Sequence, residues 1–159
     1  MRLILISNTK QEAALYAYLD QKVNDLALRD RFLLNVTRVW VLARTLGGDP
    51  RQPLTPRFAR FGVGEALEDF DAAMTLLDRS SRETLRFERP CALRVEEAEA
   101  VLLATWEALG RGEAAQARRV LEHLAGTEAG HILRHMLAVT EWLRMLSPTR
   151  ISRPAGETS

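Results

Sequence analysis

Apolar residues recur three and four positions apart in six separate stretches of this chain, and strict alternation is absent throughout. That spacing places side chains on one face of an α-helix and excludes a half-buried strand. The clearest stretch, Glu65 to about Arg82, carries Leu67, Phe70, Met74 and Leu77, with Glu68, Asp69 and Asp71 in its first turns and Arg79 and Arg82 near its end. Acids at the start and arginines at the end both complement the helix dipole.

The other helices follow in the same way. Thr9-Lys10-Gln11-Glu12 has the form of a capping box opening a helix with Leu15, Tyr18, Leu19 and Val23. Asn24 or Asp25 is the expected cap of a second helix to Leu46, striped by Phe32, Val36, Val39, Ala43 and Leu46 and widened by Leu33 and Trp40. It is apolar over more than half its girth and is expected at the centre. Val95 to Leu109, Glu113 to Ala125 and a last helix from a Thr127 cap to Leu146 complete the set. The last carries Ile132, Met136, Val139, Leu143 and Leu146 at near-heptad spacing, the expected interaction face.

The expectation is an all-α, single-domain bundle of about six helices over 1–146, mostly with antiparallel neighbours because most loops are short. Residues 47–64 hold four glycines and three prolines and are expected as a Pro/Gly/Arg loop, with at most one helical turn at Thr55-Pro56. Residues 147–159 read as a flexible tail, and Leu3 to Ile6 as an apolar lead-in or a short strand.

The chain has 159 residues, enough for a core without a disulfide or metal staple. One cysteine makes no internal disulfide, so a reducing compartment is expected. With no signal-peptide pattern and no long apolar run, the chain is assigned to the cytoplasm and away from membranes. A net charge of +1 gives no global reason to bind nucleic acid. Twenty arginines stand against two lysines, a bias that a GC-rich coding sequence produces.

Two segments resemble known patterns. Trp106, Ala108-Leu109-Gly110, Ala114, Ala117 and Leu121 make residues 101–124 similar to one tetratricopeptide-type helical hairpin. A second copy is missing, so the peptide-binding role of repeat arrays does not carry over. Arg86-Phe87-Glu88-Arg89-Pro90-Cys91 followed by Val95-Glu96-Glu97-Ala98 resembles a Pro/Cys loop and acidic helix start in small all-α proteins of bacteria. That resemblance implies a bacterial source and no particular activity.

Three constellations carry possible chemistry. Glu128, His131 and His135 share a helix face, and His123 precedes them, a spacing that offers imidazoles and a carboxylate to zinc or iron. The second Glu-x-x-His of a di-iron bundle and the His-Glu-x-x-His of zinc proteases are both missing. Asn35, Arg38 and Trp40 interrupt or flank the most apolar helix, where polar groups need partners and can mark a ligand pocket. Arg51, Arg57 and Arg60, interleaved with Phe58 and Phe61, form a basic patch that Glu65, Glu68, Asp69 and Asp71 partly neutralise. Cys91, between Arg89 and Arg94, is expected as a small buried hydrophobe.

No motif calls for a cofactor, and no nucleophile–base set is visible. The expected role is therefore non-enzymatic: protein–protein contact as a regulatory or adaptor module, with self-association included. The alternatives are a small-molecule or cofactor-binding sensor at Asn35, Arg38 and Trp40, and a metal site at Glu128, His131 and His135.

Overall fold

A computed structural model describes residues 9–82 and 84–146, with side chains from Glu12 onward. Its α-helices are α1 (Thr9–Tyr18), α2 (Leu28–Thr45), α3 (Arg51–Phe61), α4 (Leu67–Ser80), α5 (Glu97–Gly110), α6 (Ala114–Ala125) and α7 (Ala129–Arg144). The chain is an all-α bundle, and no strand occurs among the described residues. The segments 20–23 and 93–95 meet as an isolated antiparallel bridge. There Val23 N donates to the Leu93 carbonyl at 2.8 Å and Val95 N to the Gln21 carbonyl at 2.9 Å. The lead-in Leu3–Ile6, the cap at Thr9 and the tail 147–159 lie outside the described residues or side chains.

The central helix is α5, a correction to the expectation for α2. Every residue from Ala98 to Trp106 is buried, as are Ala108 and Leu109. A helix apolar on all sides belongs inside, and its alanines let α1, α2, α6 and α7 pack around it. By contrast α2 keeps an outer face with Arg31, Leu42, Arg44 and Leu46 exposed. The α7 stripe Ile132, Met136, Val139 and Leu143 is buried against α4 and α6. The near-heptad spacing on α7 thus serves the core, and its expected role as an exposed interface does not hold.

The expected loop 47–64 is mostly helix. Gly47, at φ +80°, ends α2, and Gly62, at φ +88°, ends α3, both in the left-handed region that glycine enters freely. Between them, Leu54 and Phe58 share one face and are fully buried. Phe58 meets Phe32 edge-on at 5.1 Å and Phe70 at 5.3 Å, while Phe61 stacks on Phe32 at 4.1 Å. Burying two phenylalanines and a leucine outweighs the roughly 3 kcal/mol a helical proline costs. Pro53 sits in the first turn, where its missing N–H has no helical partner to lose, so only Pro56 interrupts the ladder. Asp49 Oδ1 accepts from Arg51 N at 3.0 Å and secures the start.

Two expected caps also differ. α2 begins after Ala27, following a 3-10 turn at Val23–Asp25, and α7 begins after a 3-10 turn at Gly126–Glu128 that contains Thr127. Neither start has a side-chain cap.

Candidate functional site

Asn35, Arg38 and Trp40 do not converge. Arg38 points into the bundle with its side chain 1% exposed, and the Glu99 side chain facing it is fully buried. Its Nε donates to Glu99 Oε2 at 2.7 Å and its Nη2 to Oε1 at 2.9 Å. Nη1 and Nη2 also donate to the carbonyls of Ala92 and Arg94, each at 2.8 Å. Glu99 accepts two more hydrogen bonds, from the backbone N–H groups of Glu88 and Glu96. This pair pins the 88–96 connection to α2, and both forks of the pair are occupied. Asn35 Oδ1 instead accepts from Arg57 at 3.0 Å, and Trp40 Nε1 donates to Asp71 Oδ1 at 2.8 Å. The expected three-residue pocket is therefore three separate structural contacts.

Of the three, Trp40 alone borders a cleft between α2 and α4. A cavity of about 390 Å³ lies between the second half of α2, the second half of α4 and Ser81, Arg82, Thr84, Leu85 and Phe87. Trp40, Met74, Leu77, Leu85 and Phe87 give it an apolar floor, and Arg44, Thr45, Asp78, Ser81, Arg82 and Thr84 a polar rim. The rim hydroxyls are oriented, Thr45 donating to the Val41 carbonyl at 2.8 Å and Ser81 to the Leu77 carbonyl. Their lone pairs stay open. The Arg44 guanidinium lies 5.9 Å from the Trp40 ring centroid and 3.8 Å from Asp78. Arg82 is fixed at its backbone, where its N–H donates to the Leu124 carbonyl at 3.0 Å. Its guanidinium crosses Gly126, with Nη2 2.6 Å from where a Cβ would stand. Glycine at 126 is favoured by its φ of +60°, and the absence of a Cβ leaves the space that the guanidinium takes.

This cleft was not legible as a site. Its far wall, made by Ser81, Arg82, Thr84, Leu85 and Phe87, comes from what reads as an Arg-rich connection between helices. The overlooked signal is Leu85 and Phe87, two apolar residues in that polar stretch, both packed against the core.

The histidine group is also divided. His131 Nδ1 lies 3.1 Å from Glu128, in the 3-10 turn that precedes its own helix, while His135 Nδ1 turns to Asp69 of α4 at 2.8 Å. His123 lies on α6. Among the described residues no three His, Cys, Asp or Glu side chains gather as a metal-ligand set. The expected metal site therefore fails on geometry, because two different carboxylates claim the two imidazoles. Cys91 is exposed, which corrects its expected burial.

The basic patch is partly neutralised, as its neighbours imply. Arg51 bonds Asp49 at 3.2–3.3 Å and lies 3.8 Å from Glu68. The Arg51 guanidinium holds the Asp49 carboxyl below its ordinary range, and Asp49 holds Arg51 charged. Arg57 and Arg60 rim a shallow depression with Phe32, Asn35 and Phe61.

One buried cluster escaped the sequence altogether. Tyr18 Oη lies 2.9 Å from Asp30 Oδ2 and 2.5 Å from Glu107 Oε2. A phenol has one hydrogen, so it serves both carboxyl groups only when one of them carries a proton. Burial pushes the Asp30 carboxyl above its ordinary range, against the opposing pull of Arg29. Burial and the two carboxyl groups push the Tyr18 phenol well above its own. Asp30 Oδ1 is buried with no hydrogen-bond partner, and the Arg29 guanidinium stays 3.7 Å away.

No family model, no curated protein and no solved structure matches this chain. No helix among the described residues is long and apolar enough to cross a membrane.

Proposed function

We propose that this chain works by non-covalent binding and that its binding site is the cleft between α2, α4 and Ser81, Arg82, Thr84, Leu85 and Phe87, which holds a small organic molecule. The observation that carries the reading is a cavity of about 390 Å³ with an indole and phenyl floor and a polar rim. Ligand pockets run from about 300 to 1,000 Å³ and combine these two kinds of lining. The reading keeps the sensor class expected from sequence and moves its site away from Arg38, whose guanidinium is fully bonded, and from Asn35, whose Oδ1 is taken by Arg57. Native mass spectrometry of protein from its own host tests it. A retained mass that a Thr45→Trp variant loses supports the cleft, whereas a bare chain mass together with a cleft filled by its own side chains in a crystal overturns it.

The protein-contact reading keeps one specific observation. Leu42 and Leu46 stand one helical turn apart on α2, with Leu46 77% exposed. A regulatory or adaptor role uses that face for a partner or a second copy of the chain. Light scattering across a concentration series checks self-association: a dimer dissociated by Leu46→Glu supports it, and a monomer at every concentration removes that form of it.

A further inference from the structure

From the charges around the cleft we infer that its ligand is an amphipathic organic anion, a carboxylate on an aromatic or compact apolar body. This inference rests on the cleft being the binding site. Among the described residues the rim carries two arginines, Arg44 and Arg82, and one acid, Asp78. Guanidinium groups match a carboxylate in a planar, two-bond geometry.

Neither arginine is consumed by the fold in the way Arg38 is. The Arg44–Asp78 contact is 3.8 Å long, with both side chains half exposed, and such a pair is readily displaced. Arg82 is positioned by backbone contacts: its N–H is tied to α6, and its guanidinium lies against a glycine. The hydroxyls of Thr45 and Ser81 already donate within α2 and α4, so toward the ligand they offer acceptors only. The donors toward a ligand among the described rim residues are thus the two guanidinium groups and the Thr84 hydroxyl, all of which suit an acceptor head.

The floor selects the body. Trp40, Phe87, Met74, Leu77 and Leu85 present rings and alkyl chains at one end of a cavity whose charges sit at the rim. A flat apolar body fills that end, and its carboxylate reaches the arginines. Asp78 then acts as the competitor that the ligand displaces from Arg44.

Naphthoate and its uncharged analogue naphthamide are the probes, titrated by calorimetry and by the fluorescence of Trp40. Naphthoate is expected to bind more tightly than naphthamide by about tenfold or more, the value of a charge-assisted hydrogen bond. Arg82→Met is expected to shrink that preference by weakening naphthoate more than naphthamide, because the charged head loses the stronger bond. Asp78→Asn is expected to tighten naphthoate about two- to fivefold, because an exposed ion pair of this kind is weak. Equal binding of acid and amide, unaffected by Arg82→Met and lost in Thr45→Trp, overturns the anion class and leaves the cleft as the site. Binding of neither probe, or binding that Thr45→Trp does not weaken, overturns both.

Discussion

Two buried polar clusters bridge to α5, and they are built to opposite standards. Arg38 and Glu99 form a complete unit: one cation, one anion, and every fork closed by a carbonyl or a backbone N–H. Tyr18, Asp30 and Glu107 form an incomplete one, with two carboxyl groups around one phenol and an orphaned oxygen on Asp30. The difference shows that burial alone does not decide the cost of a charge. A buried ion is tolerable when counter-charge and hydrogen bonds come with it, and otherwise it neutralises by taking up a proton.

The largest expected effect lies in the closed pair. Arg38→Ala leaves Glu99 buried and unpaired, and is expected to cost about 3–5 kcal/mol in urea unfolding. The double variant Arg38→Met with Glu99→Leu is expected to recover most of that, since an apolar pair of similar volume replaces the ions. A double variant as unstable as the single one shows that pinning the 88–96 connection, rather than charge, sets the value of the pair.

The open cluster is expected to respond in the opposite direction. Asp30→Asn keeps the shape and removes the titration, and is expected to stabilise the fold by about 1 kcal/mol at neutral pH. The sign follows from linkage. Asp30 binds its proton more tightly in the folded chain than in the unfolded one. Its contribution is therefore fully present below the unfolded value, about pH 4, and is lost as pH rises through the folded value. The advantage of Asp30→Asn is expected to grow over that same rise. Paired melts across acidic to neutral pH check this, and a constant difference contradicts an Asp30 carboxyl held above its ordinary range.

The smallest effect is at the rim of the same cluster. Arg111 bonds Glu107 at 2.5 Å but is 60% exposed. Arg111→Ala is expected to cost about 0.5 kcal/mol or less in the same melts. A loss comparable to that of Arg38→Ala contradicts the division into closed and open clusters, because Glu107 then depends on an exposed cation as Glu99 depends on Arg38.

The same contrast explains what could be read in advance. The inner face of α4 was legible because Leu67, Phe70, Met74 and Leu77 are local and periodic, and all four are buried. The need for a partner at Arg38 was legible too, since a cation in an apolar helix face requires one. Its identity was not, because Glu99 lies 61 positions away. α3 was hidden by composition: glycine and proline read as loop, although Leu54, Phe58 and Phe61 stand at helical spacing. The cleft was hidden by topology, since its walls come from α2, α4 and a connection that only the fold brings together.

The location of the binding site is the central claim, and amide chemical-shift mapping with naphthoate tests it most directly. The expected shifts cluster at the Trp40 indole N–H, Val41, Thr45, Leu85 and Phe87, and leave the Arg38 Nε–H unmoved. Shifts centred on Asn35, Arg57 and Phe61, or on α7, would contradict the assignment, as would a titration that moves no resonance.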